Sequence, residues 1–203
     1  YVDVATMLAA EAQRADGIEA VAIMTPNDTH YPYAAAALDA GLDVIGDKPV
    51  STTAAEARDL AVRARAKDRI FCVTHGYSAY PMTRYAKQLV ADGVIGPVRF
   101  VQVEYIQSGL AKPIERGAMT DSQRWKFDAE RSGLALAFSA IGCHAQHLAC
   151  NVSGLAIESV SADVGALLPG RRVTDTVLAN LRFAGGARGQ PEGHQGLGRP
   201  GQA

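Results

Sequence analysis

Apolar positions in the first 75 residues repeat with two periods. Val4, Met7, Leu8 and Ala12 recur at i, i+3, i+4 and i+8 behind Asp3, which predicts an amphipathic helix capped by Asp3. Residues 19–24 (Glu-Ala-Val-Ala-Ile-Met) form a short, mostly apolar run, as in a strand covered on both faces. Thr25-Pro26-Asn27-Asp28 breaks that run. A helix is expected from Pro32 through Ala40, with Gly41 just past its end. A strand over residues 43–46 leads into Asp47-Lys48-Pro49. Thr53 and Glu56 then have capping-box spacing ahead of a helix reaching about Lys67, and Ile70 to Thr74 is again strand-like. The β-α-β-α-β alternation predicts a parallel sheet with right-handed crossovers, half of a doubly wound α/β fold.

After Tyr77 the pattern changes. A helix is expected near Met82–Ala91, ended by Gly93. Val101, Val103 and Tyr105 then share one strand face against Phe100, Gln102 and Glu104. Val177, Ala179, Leu181 and Phe183 do the same against Thr176, Leu178, Asn180 and Arg182. Period-two alternation belongs to half-buried strands of an antiparallel or mixed sheet. A helix from about Gly142 to Asn151, with Gly154 beyond it, lies between them. Residues 79–188 therefore read as a partial α+β domain with an open sheet, and residues 1–78 as the preceding α/β domain. From Gly185 to Ala203, seven of nineteen residues are Gly, with Pro191 and Pro200 added. The expectation is a disordered tail over 189–203 and a final hairpin whose second arm is absent.

Composition narrows the classes. The net charge of -1 gives no basic footprint for nucleic acid, and no apolar run approaches the ~20 residues of a spanning helix. Three cysteines (Cys72, Cys143, Cys150) read as reduced thiols of a cytoplasmic protein. The chain opens at Tyr1 inside a helical pattern with no basic-then-apolar leader, so a preceding segment is expected to be missing and no export signal is read.

Lys48 is the leading chemical candidate. A Lys at the C-terminal end of a buried parallel strand lies where open α/β sheets bind ligands, and its ammonium can stabilise charge on a reacting oxygen. The bland alternative is an exposed Lys in a strand-to-helix turn. Thr25, Pro26 and Asn27 are, locally, ordinary turn residues. Cys143, His144, His147 and Cys150 allow a metal reading, but ligands on one straight helix cannot readily surround a tetrahedral ion. Apolar packing of the thiols is the alternative, and no metal is expected.

Thr25-Pro26-Asn27-x-x-His30, Asp47-Lys48-Pro49, Trp125-Lys126 and Gly142-x-His144-x-x-His147-Leu148 occur in that order. This ordered set, over roughly residues 1–188, resembles the glucose–fructose oxidoreductase / inositol dehydrogenase / rhizopine catabolism (Gfo/Idh/MocA) family. The resemblance implies a partial Rossmann domain followed by a partial α+β domain, NAD or NADP as cofactor, and a sugar- or cyclitol-like alcohol or ketone as substrate. It also implies a homo-oligomer in the full-length protein. By resemblance Lys48 and His144 are catalytic, the Lys polarising the reacting oxygen and the His moving its proton. Thr25, Pro26, Asn27, His30, Asp47, Pro49, Trp125 and Lys126 would contact the cofactor, and Tyr77, His147 and Asp175 the substrate. Against this, His147 can be a helix-surface residue, Trp125 core, and Asp175 a polar lead-in to a strand.

Three departures accompany the resemblance. The glycine-rich GxGxxG turn is not in the chain, Ala140 stands where relatives commonly have Asp, and Gly186-Ala187-Arg188-Gly189 leads into polar sequence rather than an apolar strand. The last reads as an out-of-frame or artificial end. As an isolated chain the protein is expected to hold its cofactor weakly and turn over little. A non-catalytic ligand sensor and an inactive remnant are the rival readings, with a hydrolase using transient oxidation a lesser one.

Overall fold

The computed structural model describes residues 1–133 and 135–196. Two compact units divide between Thr74 and His75, whereas the sequence reading puts the boundary after residue 78. In the first, α1 (Val4–Glu11) is capped by the Asp3 carboxylate, which accepts from Thr6 N at 2.7 Å. Strands β1 (Ala20–Ile23), β2 (Asp43–Asp47) and β3 (Phe71–Thr74) form a parallel sheet in that order. Between them run α2 (Asn27–Asp39) and α3 (Ala54–Ala66). This is the expected Rossmann-type half.

Helix α3 begins on the predicted capping box: Glu56 N donates to Thr53 Oγ1, and Thr53 N donates to the Glu56 carboxylate, both at 3.2 Å. Helix α2 departs from expectation. It starts at Asn27, and Pro32 lies inside it. Pro26, with φ −58 and ψ 149, holds the capping position, so the ring that launches the helix is Pro26. The alanines of α2 let it sit close against the sheet, and Ala34, Ala37, Leu38, Val44 and Leu60 are all essentially solvent-free.

The second unit holds α4 (Pro81–Ala91), then β4 (Phe100–Ile106), and two single-turn helices, α5 (Asp121–Arg124) and α6 (Ala129–Ser132). A π-helical turn, Phe138–Gly142, runs directly into α7 (Cys143–Ser153), which ends at Gly154 in the left-handed region (φ 70). Strands β5 (Ile157–Gly165), β6 (Thr176–Phe183) and β7 (Arg188–His194) join β4 in the order β4-β7-β6-β5. The β4–β7 pair is parallel, while β6–β7 and β5–β6 are antiparallel, which makes the sheet mixed. Val177, Ala179, Leu181 and Phe183 are buried, with Leu178, Asn180 and Arg182 exposed, as the alternation predicts.

One strand here is not among those expected, and one expectation is corrected. Strand β5 has no buried face to announce it, since it is the sheet edge and nearly all its side chains are exposed. More important, the second arm of the hairpin exists: β7 occupies residues assigned to a disordered tail. Its glycines serve packing. A Cβ on Gly189 would lie 2.6 Å from the Phe183 ring, and one on Gly193 would lie 3.1 Å from Gly142 N. Pro191 has no N–H to donate, and the β6–β7 pairing skips Ala179 and Asn180 at that point. There Gln190 Nε2 donates instead to Asn180 Oδ1 at 3.1 Å. Residues 197–203 of the expected tail lie outside the described residues.

Candidate functional site

In the first unit the candidate residues gather at the C-terminal ends of the parallel strands. Asp47 ends β2, and its Oδ1 accepts from Lys48 N at 2.8 Å and from the Thr74 hydroxyl at 2.9 Å. The carboxylate thus joins the ends of β2 and β3 and fixes the peptide that carries Lys48. The Lys48–Pro49 bond is cis. Past β1, Thr25 is exposed and Asn27 buried, and α2 starts after Pro26 with no side-chain cap hydrogen bond. His30 is only 3 % exposed. Its Nδ1 lies 2.6 Å from Pro49 O and its Nε2 2.8 Å from Thr25 O. These contacts account for both ring nitrogens of a residue expected to touch the cofactor.

In the second unit, His144 sits one residue into α7, just past the π-turn. Helix-to-sheet approach there is set by glycine on glycine, Gly142 against Gly193, which supplies a physical reason for Gly in the Gly-x-His motif. A π-turn widens the helix locally and recurs at functional sites. Around His144 stand Tyr77, edge-on with centroids 4.8 Å apart, Tyr105 at 6.1 Å and His75 at 5.9 Å. His75 also stacks flat on His147, 3.9 Å between centroids and 4° between planes. The Tyr77 and Tyr105 hydroxyls are 2.6 Å apart, and Gln107 Nε2 donates to the Tyr105 oxygen at 2.9 Å.

This environment shifts two groups. Burial, then the hydrogen bond with Tyr77, pushes the Tyr105 phenol up to about 12. Burial, reinforced by the Lys87 ammonium, pushes the His147 imidazole below its usual range. Tyr77, His144 and His147 are thus brought together in one unit. His75, Tyr105 and Gln107 complete the group and were missed by sequence reasoning. The only signal for Tyr105 was its place on the inward face with Val101 and Val103.

The remaining candidates lie elsewhere. Trp125 is half-buried in a short 3₁₀ turn, with exposed Lys126 Nζ 5.9 Å over its own neighbour's ring. Asp175, expected beside the substrate, is fully buried. Its carboxylate accepts from Arg171 Nη1 at 3.0 Å, Leu167 N at 2.8 Å and Leu168 N at 3.4 Å, so its bonds all go to the fold. Of the two thiols on α7, Cys143 is buried and its Sγ donates to Ser139 O at 3.2 Å, and burial raises the half-buried Cys150 thiol; Cys72 is exposed. Among the described residues no three His, Cys, Asp or Glu side chains converge as a metal site.

The donor set of the first unit fits the nicotinamide end of a dinucleotide. Hydroxyl and amide side chains of this kind suit ribose and carboxamide, whereas no glycine-rich phosphate cradle is found among the described residues. Residues 1–75 match the family described as "Oxidoreductase family, NAD-binding Rossmann fold", and residues 83–198 match the "GFO/IDH/MocA C-terminal domain". The chain is 35 % identical over 148 residues to the uncharacterized oxidoreductase YfiI of Bacillus subtilis, covering 73 % of this chain and 37 % of that protein. It superposes on the inositol dehydrogenase homolog of Azotobacter vinelandii complexed with NAD+, with TM-score 0.90 and 30 % identity, over 96 % of this chain and 50 % of that one. Levoglucosan dehydrogenase in complex with NADH and L-sorbose gives TM-score 0.86 at 25 % identity, over 97 % and 52 %. The chain therefore spans about half the length of such relatives or less, and by sequence and fold it belongs to the Gfo/Idh/MocA family of NAD-binding oxidoreductases.

Proposed function

We propose that the whole protein transfers hydride between a nicotinamide cofactor, NAD or NADP, and a sugar- or cyclitol-like alcohol or ketone. The observation that carries this reading is the Lys48 peptide, pinned by Asp47 at the carboxyl end of β2 in a chain that matches an NAD-binding family. A bound nicotinamide would supply the hydride acceptor or donor. Thr25, Pro26, Asn27, Asp47 and Pro49 would line its ribose and carboxamide, and Trp125 and Lys126 are the further residues that the family resemblance assigns to the cofactor. Lys48 would donate a hydrogen bond to the substrate oxygen and stabilise negative charge growing on it. His144 would take up or return the hydroxyl proton, with Tyr77 and His147 beside it to orient a polyol.

Self-association belongs to the same reading. The outer face of the second sheet exposes Phe100, Ile106 and Leu178 among polar side chains. Sedimentation equilibrium of a Phe100→Lys variant, expected to be less associated than the parent, tests it.

Ala140 favours one rival. Without a carboxylate at that position His144 has one orienting partner fewer than relatives commonly have, which suits a ligand sensor that no longer turns over. Amide shifts during titration with NAD+ or NADH, with and without myo-inositol, separate the cases. Shifts at Thr25, Asn27 and Lys48, with NADH formation that Lys48→Ala slows by about a hundredfold, support the enzyme. Shifts without any hydride transfer support the sensor. No shift at these residues at millimolar nucleotide overturns the nicotinamide reading.

A further inference from the structure

Lys48 ends in a flexible side chain, so the placing of its ammonium depends on how firmly its backbone is held. On its N-terminal side the Lys48 N–H is bound by Asp47 Oδ1, which also takes the Thr74 hydroxyl. On its C-terminal side the next carbonyl, Pro49 O, lies 2.6 Å from His30 Nδ1. The other ring nitrogen of His30 faces Thr25 O at 2.8 Å, the carbonyl that opens the Thr25-Pro26-Asn27 turn. A carbonyl oxygen can only accept, and a neutral imidazole carries one N–H, so the tautomer decides which of the two carbonyls receives the hydrogen bond from His30. The imidazole lies between the loop after β1 and the loop after β2, in a buried position in the first turn of α2.

We propose that His30 is a positioning residue: seated between Pro49 O and Thr25 O and donating its ring N–H to one of them, it holds Lys48 and the Thr25–Asn27 turn in fixed register. Its burial leaves the ring no solvent-facing edge with which to grip a nucleotide directly. Its functional importance rests on the hydride-transfer reading, whereas the tie itself stands on the His30 contacts alone. His30 works with Asp47 and Thr74, one group on each flank of Lys48. The positions of these residues in sequence do not reveal the arrangement, because His30 and Pro49 are joined only across the sheet.

The tie is tested first in the unmodified chain by NMR of ¹⁵N,¹³C-labelled protein. A through-hydrogen-bond coupling from a His30 ring nitrogen to the carbonyl carbon of Pro49 or Thr25 is expected, and absence of coupling to both overturns the proposal. Then His30→Ala is compared with Leu60→Ala, which removes a core side chain of the same unit. The Lys48 amide should exchange with solvent on the order of tenfold faster in His30→Ala than in Leu60→Ala, measured relative to the amides of β1 and β2. Equal exchange in the two variants overturns the proposal. His30→Gln, which keeps an N–H donor, should recover part of the protection. Catalysis separates the two claims. If hydride transfer falls with Lys48→Ala but not with His30→Ala, the positioning role is overturned and the functional reading survives. If the coupling and exchange results hold while Lys48→Ala changes nothing, the tie survives and the functional reading falls.

Discussion

Arg171 Nη1 lies 3.0 Å from Asp175 Oδ2, with both side chains fully withdrawn from solvent. The guanidinium also grips Glu115 in a two-pronged contact, at 2.9 Å from Nε and 3.1 Å from Nη2, and donates to Leu110 O and Lys112 O. The Phe127 ring lies beneath, 5.8 Å from Cζ. Every N–H of the guanidinium thus has an acceptor, which is what makes burial of such a charge tolerable. This knot joins the segment after β4 to the segment before β6.

Removing one partner of the knot leaves an uncompensated charge in the interior. Arg171→Leu is expected to cost about 3–5 kcal/mol in urea denaturation. Arg171→Leu combined with Asp175→Leu should cost much less than the two singles added together. Additive losses would show that the pair is not coupled.

The glycine of β7 gives a direct test of the strand itself. Gly189→Ala would push a methyl into the Phe183 ring, which is fully buried, so a loss of roughly 1–3 kcal/mol is expected. Phe183→Leu in the Gly189→Ala background should regain part of it relative to the sum of the singles. A neutral Gly189→Ala would mean that residues 188–194 do not pack on β6.

His147 makes stability depend on pH. Burial and Lys87 lower its folded pKa below the ordinary 6.5, so the unfolded chain binds the proton more readily. Its contribution to stability is therefore fully present above about pH 6.5 and is lost as pH falls through the folded value. His147→Leu should flatten the urea-midpoint profile below neutrality. An unchanged slope would remove His147 as the cause.

The Tyr77–Tyr105 pair behaves in the opposite direction. Because Tyr105 is raised to about 12 from 10.0, its contribution is present at neutral pH and is lost only as pH rises from 10.0 through about 12. The Tyr105 ring-carbon shift should titrate late, and earlier in Tyr77→Phe. Each single Phe substitution should cost about 0.5–1.5 kcal/mol, with a double-mutant coupling. Titration of Tyr105 at the ordinary tyrosine value would contradict the paired hydroxyls.

What the chain made legible was local. The Asp3 cap, the Thr53–Glu56 box and the stops at Gly93 and Gly154 are written in adjacent residues, and they appear as read. The alternation of β6 was legible because one face is buried. Strand β5 was not, because an edge strand exposed on both faces leaves no periodic signal. Strand β7 was misread because glycine required for close approach and glycine free in a tail look identical in sequence. At the candidate site, the side chains His144, His147 and Tyr77 were named from motifs, while His75 and Tyr105 were invisible until the strand and helix carrying them were packed.

The sequence by itself determined the alternation of elements, the motif order that marks the family, and the strand-end position of Lys48. Those follow from periodicity, capping chemistry and turn residues within a few positions of one another. Only the tertiary structure decided the use to which polar groups are put. Asp175 is tied inside the fold by Arg171, and His30 is closed between two carbonyls from different loops. The reason is physical: a buried polar group must find its partners wherever the packed chain brings them, and those partners lie far away in sequence.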